Sequence, residues 1–160
     1  MDLKHIKGLL FDKDGTLFDF AATWEPWAEA FLLRACNGDR SFAARVGADI
    51  GFDFALRRFA RDSIAIAGTP QQVVQALAPH FPAQTPSALL EMVNMEASRA
   101  PQREAVPLRP FLQRLRDQGL YLGVATNDAE HPARAHLVAA GVNDMFDFIA
   151  GFDTGHGGKP

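Results

Sequence analysis

Ile6 to Leu10 is an apolar run broken only by Lys7 and Gly8, and it stops at Phe11-Asp12-Lys13-Asp14-Gly15-Thr16-Leu17. A short apolar run ending in turn residues predicts a buried strand whose C-terminal end opens a loop. The pattern then changes period. Trp24, Trp27, Ala28, Phe31, Leu32 and Ala35 fall on one helical face, with Thr23 as cap, Pro26 in the first turn and Gly38 at the stop. The two tryptophans are read as core of the helical layer, with the lining of a substrate entrance as the alternative. Residues 41–50 are weakly patterned and suit one short helix. Asp53 is expected to cap the next, with Leu56, Phe59, Ser63 and Ala67 on one side and Arg57, Arg58 and Arg61 on its polar part. Those arginines read as a solvated face or as forks for a substrate's distal end. Thr69-Pro70-Gln71-Gln72 predicts a capping box, and Thr85-Pro86 a second capped start. Residues 20–100 thus read as roughly four or five helices with no strand.

From Val106 the chain changes character. Pro107 and Pro110 precede a helix side of Phe111, Leu112 and Leu115, which Gly119 ends. Leu120 to Ala125 is a strand broken only by Gly123 and running into Thr126-Asn127-Asp128. A helix follows from about Pro132 to Ala140, then a third strand over Phe146 to Ala150, then the glycine-rich stretch from Gly151 to Pro160. Helix and strand alternating in this way predict an α/β fold with a parallel sheet.

With 160 residues the chain suits one domain, and its net charge of −3 gives no electrostatic case for nucleic acid or an anionic membrane. Its one cysteine, Cys36, allows no internal disulfide, which suits a reducing, cytoplasmic setting. No signal-peptide core leads the sequence, and no apolar run approaches the ~18 residues of a membrane span.

Candidate chemistry sits at the strand ends. Asp12 and Asp14, two residues apart at the end of the first strand, can divide one task. One carboxylate attacks while the other handles the proton, and Gly15 lets the chain turn behind them. A plain turn is the alternative; a calcium loop is not, because Gly15 comes too early and Leu17-Phe18 stands where ligands belong. Thr126, at the end of the second strand, offers a hydroxyl and neighbouring N–H groups to a phosphate, or else an N-cap to the next helix. Lys159 follows Gly155-His156-Gly157-Gly158. Its ammonium would neutralise the repulsion between a phosphate and an attacking carboxylate. The run is not a nucleotide-binding P-loop, since Asp153 and Pro160 occupy positions that need Gly and Ser or Thr.

Asp12-Lys13-Asp14-Gly15-Thr16-Leu17, Val124-Ala125-Thr126-Asn127 and Lys159-Pro160, in that order behind three strands, resemble the signatures of the haloacid dehalogenase superfamily. The match spans essentially the whole chain and favours the phosphatase branch, phosphoglycolate-phosphatase-like in layout. The resemblance implies a Rossmann-like core over residues 1–19 and 101–160 and a helical cap over 20–100. It implies Asp12 as nucleophile, Asp14 as general acid/base, and Mg²⁺ held by Asp12 and the Asp14 backbone carbonyl. Thr126, Asn127 and Lys159 would hold the phosphate. The expected reaction is magnesium-dependent hydrolysis of a small phosphorylated metabolite through an aspartyl-phosphate. The alternatives are a non-catalytic or truncated binding module and a sugar-phosphate mutase. The family's fourth signature, an acidic loop after a further strand, has no counterpart: Asp144, Asp147 and Asp153 all precede Lys159. The C-terminal part of the core is therefore expected to be missing.

Overall fold

The computed structural model describes residues 5–159; Met1 to Lys4 at the head of the expected core, and Pro160 of the Lys-Pro pair, lie outside the described residues. Strand β1 (Gly8–Phe11) starts the sheet. Two further strands, β4 (Tyr121–Ala125) and β5 (Phe148–Ala150), join it in the order β1-β4-β5, all parallel. Helix α6 (Leu108–Asp117) leads into β4, and α7 (Glu130–Ala139) connects β4 to β5. A sheet that grows in one direction through crossovers of one hand places both connecting helices on one face. That face carries a buried cluster in which Leu122, Val124 and Ile149 of the strands meet Leu108, Leu112 and Leu137 of the helices. On the opposite face Leu10, Tyr121 and Phe148 stand exposed, Tyr121 at 68%.

Between β1 and α6 the chain builds a helical insert. Helix α1 (Phe20–Ala35) is capped by Asp19, whose carboxylate accepts the Ala22 N–H at 2.9 Å. The expectation of Thr23 as cap is therefore corrected: Thr23 is buried inside the helix, and Pro26 lies within it, past the first turn. Asp19 wins because a carboxylate on extended backbone satisfies an orphan N–H at the true helix start. Helix α2 (Arg40–Asp49) follows, as the weak pattern over 41–50 suggested.

The helix expected after Asp53 is replaced by a small antiparallel hairpin, β2 (Phe52–Asp53) and β3 (Arg58–Phe59), and a single turn, α3 (Ile64–Ala67). Asp53 folds its carboxylate onto the N–H groups of Ala55 and Leu56, and Arg57 takes a left-handed φ of 52°. These are turn features that stop a helix from propagating. The pairing of Phe52 with Phe59 holds the hairpin by burying both rings.

Helix α4 (Pro70–Leu77) has the predicted capping box between Thr69 and Gln72 and ends in a 3₁₀ turn at Ala78–His80. Helix α5 (Pro86–Ser98) is capped by Thr85. The insert has its own buried cluster, centred on Leu32, Ile50, Leu77 and Leu89. Among the described residues no helix is long and apolar enough to cross a membrane.

Candidate active site

The end of β1 turns at once into a tight loop. The Lys13 carbonyl accepts the N–H groups of both Leu17 and Phe18, and Gly15 supplies the φ of 76° that closes the turn. Phe18 is fully buried and bridges to Glu104, which brings the return of the chain against the loop. The loop therefore holds Asp12, Lys13 and Asp14 as a fixed unit at the rim of the sheet.

These three side chains point into different surroundings. Asp12 is half exposed, and its Oδ1 accepts from the Lys13 N–H at 2.8 Å and meets Lys159 Nζ at 2.6 Å. Among the described residues its Oδ2 has no hydrogen-bond partner. Asp14 lies deeper, with its Oδ1 accepting from Lys13 Nζ and from Trp24 Nε1, each at 2.8 Å. Lys13 is completely buried. Its ammonium also lies 3.3 Å from Asp128 Oδ2 and 3.0 Å from His136 Nδ1, and it sits 5.2 Å from the centre of the Trp24 ring.

A buried ammonium is tolerable only where opposite charge and acceptors surround it, and here Asp14, Asp128 and His136 do so. His136 Nε2 lies 2.8 Å from the Ala97 carbonyl. That contact assigns the ring proton to Nε2 and leaves Nδ1 to accept from Lys13. Burial, reinforced by the Lys13 charge, pulls the His136 pKa down to about 4. Burial pushes Asp128 up to about 6, opposed by Lys13 and helped by the nearby Asp14 charge. The 3.3 Å approach of Asp128 Oδ2 to Lys13 is a charge contact rather than an aligned hydrogen bond.

The second and third strand ends close the site. The Thr126 N–H is taken by the Ala150 carbonyl of β5, so it is not available to a phosphate. The Thr126 hydroxyl accepts the Asp128 N–H at 3.1 Å and keeps its own proton to donate. It does not cap α7, which starts at Glu130 with its N–H on Asp153. Asn127 has its side chain fully engaged: Oδ1 accepts the Lys159 N–H at 2.5 Å, and Nδ2 donates to the Ala67 carbonyl at 2.7 Å and the Lys159 carbonyl at 3.4 Å. Any contact from Asn127 to a ligand falls to its backbone. Gly151 permits the approach of β5 to the start of α7, since a Cβ there would lie 2.3 Å from the Glu130 nitrogen.

Asp12, Asp14, Thr126, Asn127 and Lys159 all line one cleft of about 200 Å³ between the sheet rim and the helical insert. Trp24 and Trp27 line it too, while both pack against the core of the insert, so the two readings offered for them hold together; the Trp24 indole N–H also holds a site carboxylate. Lys13, Asp128 and His136 were not singled out by sequence. A lysine between two aspartates, and a histidine on the buried side of α7 beside Ala133 and Leu137, were the available signals. Arg57, Arg58 and Arg61 stay outside the cleft, and Arg57 pairs with Glu29 at 2.5 Å. Asp144 and Asp147 pair with Arg109 and Arg116 on the surface.

Strand-end carboxylates, a facing cation and a helical insert over them make a cleft on an α/β sheet suited to an anionic ligand. The haloacid dehalogenase-like hydrolase model matches residues 6–160, and the chain belongs to that family. Its fold is similar to a predicted phosphoglycolate phosphatase from Haemophilus somnus, with a TM-score of 0.60, 18% identity and coverage of 97% of this chain and 66% of that one. It is similar to L-2-haloacid dehalogenase from Xanthobacter autotrophicus, with a TM-score of 0.55, 21% identity and coverage of 97% and 60%. It is also similar to the magnesium-bound HAD-hydrolase YfnB from Bacillus subtilis, with a TM-score of 0.57, 21% identity and coverage of 98% and 68%. This chain thus spans less than two thirds of the length of the first two. No curated protein matches the sequence.

Proposed function

We propose that the chain hydrolyses small phosphate monoesters through an aspartyl-phosphate on Asp12, with residues 1–19 and 101–160 as the core and 20–100 as a cap. The observation that carries this is the unequal pair at the end of β1. Asp12 is open to the cleft beside Lys159, whereas Asp14 is recessed between Lys13 and Trp24. A halide leaves without a proton, but an ester oxygen needs one, so a second carboxylate favours ester chemistry.

Asp12 Oδ2 attacks phosphorus while Lys159 offsets the repulsion between the two anions. The bond from phosphorus to the ester oxygen breaks, and Asp14 Oδ2 gives that oxygen its proton. Asp14, now ionised, takes a proton from water. The water oxygen attacks phosphorus, and phosphate leaves with Asp12 restored. Thr126 donates its hydroxyl to a phosphoryl oxygen. Lys13 and Trp24 hold Asp14 Oδ1 throughout and so keep Oδ2 facing the ester.

Among the described residues no three acidic, histidine or cysteine side chains converge to hold a metal. The Asp12 carboxylate and the Asp14 carbonyl nevertheless fit Mg²⁺, which commonly takes one or two carboxylates and keeps several waters. When bound, it would neutralise charge on the phosphoryl oxygens.

Phosphate release from an aryl phosphate, with and without Mg²⁺, tests the reading on this chain and its Asp12→Asn variant. Magnesium-dependent release should fall by at least about a hundredfold in the variant. Residual activity within about tenfold of the parent removes Asp12 as nucleophile. Among the described residues no further acidic side chain joins Asp12 around a metal, and this favours a second reading, a phosphate-binding module without turnover. Binding of a phosphate analogue with no release from any ester would select it.

A further inference from the structure

We infer that the cleft selects a phosphate monoester whose alcohol part is small, apolar and without a second anionic group. The inference rests on the phosphatase reading and adds the substrate class to it. The charges lining the cleft, Asp12, Asp14, Asp128 and Lys159, are all at its floor. Above them the wall is Trp27, Ile50, Phe59, Ile66, Val73 and Val93. These side chains offer apolar surface and no cation.

Lys159 is the only basic residue lining the cleft among the described residues, and Asp12 holds it at 2.6 Å. Lys13 is out of reach, fully buried with its ammonium committed to Asp14, Asp128 and His136. A carboxylate or second phosphate on the alcohol part would leave water for a wall that offers it no cation, only neutral donors such as the unpaired Trp27 indole N–H. The wall is fixed by its own packing: Trp27 meets Trp24 edge-on at 5.3 Å between ring centres and stacks on Phe31 at 5.1 Å. The cleft, at about 200 Å³, holds a phosphoryl group and something near one ring in size.

Benzyl phosphate and its 4-carboxy derivative differ by one charge placed far from the ester oxygen, so leaving-group basicity barely changes between them. The uncharged ester should show a kcat/KM at least about tenfold higher. Ile66 is 43% exposed at the rim, where an arginine can be accommodated. Ile66→Arg should shift the ratio of the two kcat/KM values toward the carboxy ester by about fivefold.

Benzylphosphonate and 4-carboxybenzylphosphonate, which cannot be hydrolysed at the P–C bond, separate this inference from the phosphatase reading. Their binding is followed by quenching of Trp24 and Trp27 fluorescence. About tenfold tighter binding of the uncharged phosphonate supports the inference. The same preference with no phosphate release from either ester keeps the inference and overturns the phosphatase reading. Equal affinities, a preference for the carboxylate, or no binding of either phosphonate overturns the inference.

Discussion

The floor and the wall of the cleft are built on opposite physical terms. The floor comes from three strand ends and α7, and it is held by directional contacts between charges: one buried ammonium serves two carboxylates and an imidazole. The wall comes from the insert and is held by area, through a cluster of Leu, Val, Ile and Phe side chains. Removing one member of the floor strands a charge. Removing one member of the wall leaves a hole. The two should respond differently to substitution and to pH.

The sharpest break is at Lys13. Lys13→Met leaves Asp14 and Asp128 buried without their cation, and should cost about 3–5 kcal/mol in urea unfolding. A loss below about 1 kcal/mol would show that the ammonium is not integral to the floor. Next comes the wall. Leu89→Ala, at a fully buried position of the insert, should cost about 2–4 kcal/mol. That cost should not vary between pH 4 and 7, because Leu89 belongs to a cluster of buried apolar side chains.

The floor, by contrast, should show a concealed pH dependence. Asp128 has a folded pKa raised to about 6, so its contribution is present below its unfolded value and lost as pH rises through 6. His136 has a folded pKa lowered to about 4, so its contribution is present above its unfolded value and lost as pH falls toward 4. Between about pH 4 and 6 the folded state keeps a proton on Asp128 and lacks one on His136, and the two slopes oppose. Asp128→Asn should expose the histidine slope, stability falling toward pH 4. His136→Gln should expose the reverse. Each slope should amount to about 2–3 kcal/mol over the window in denaturant titrations, and equal slopes in the two variants would refute the opposition. The smallest effect belongs to the exposed start of α5, where Thr85→Ala removes the helix cap for about 1 kcal/mol.

The same contrast explains what could be read from the sequence. Asp12 and Asp14 were legible because residue type and position after an apolar run carry the information locally, whereas Thr126 and Lys159 were singled out by the order of three motifs that the resemblance supplies. The partners of Lys13 were not: His136 lies 123 residues away, and only the fold brings it near. The capping box at Thr69 and the cap at Thr85 were legible for the same local reason as the aspartates. The hairpin at Phe52 and Phe59 was not, because two-residue strands are too short to show a period. Trp24 was placed on the core side of its helix, but its bond to Asp14 was not legible, because an indole on an apolar face does not show which acceptor its N–H will find.

Asn127 binds the Lys159 backbone with one end of its amide and the Ala67 carbonyl of the insert with the other. One amide thus joins the backbone that carries the cation to the insert, so the floor and the wall of the cleft share a single side chain. A ligand whose affinity depends on that joint must act back on it by the same free energy.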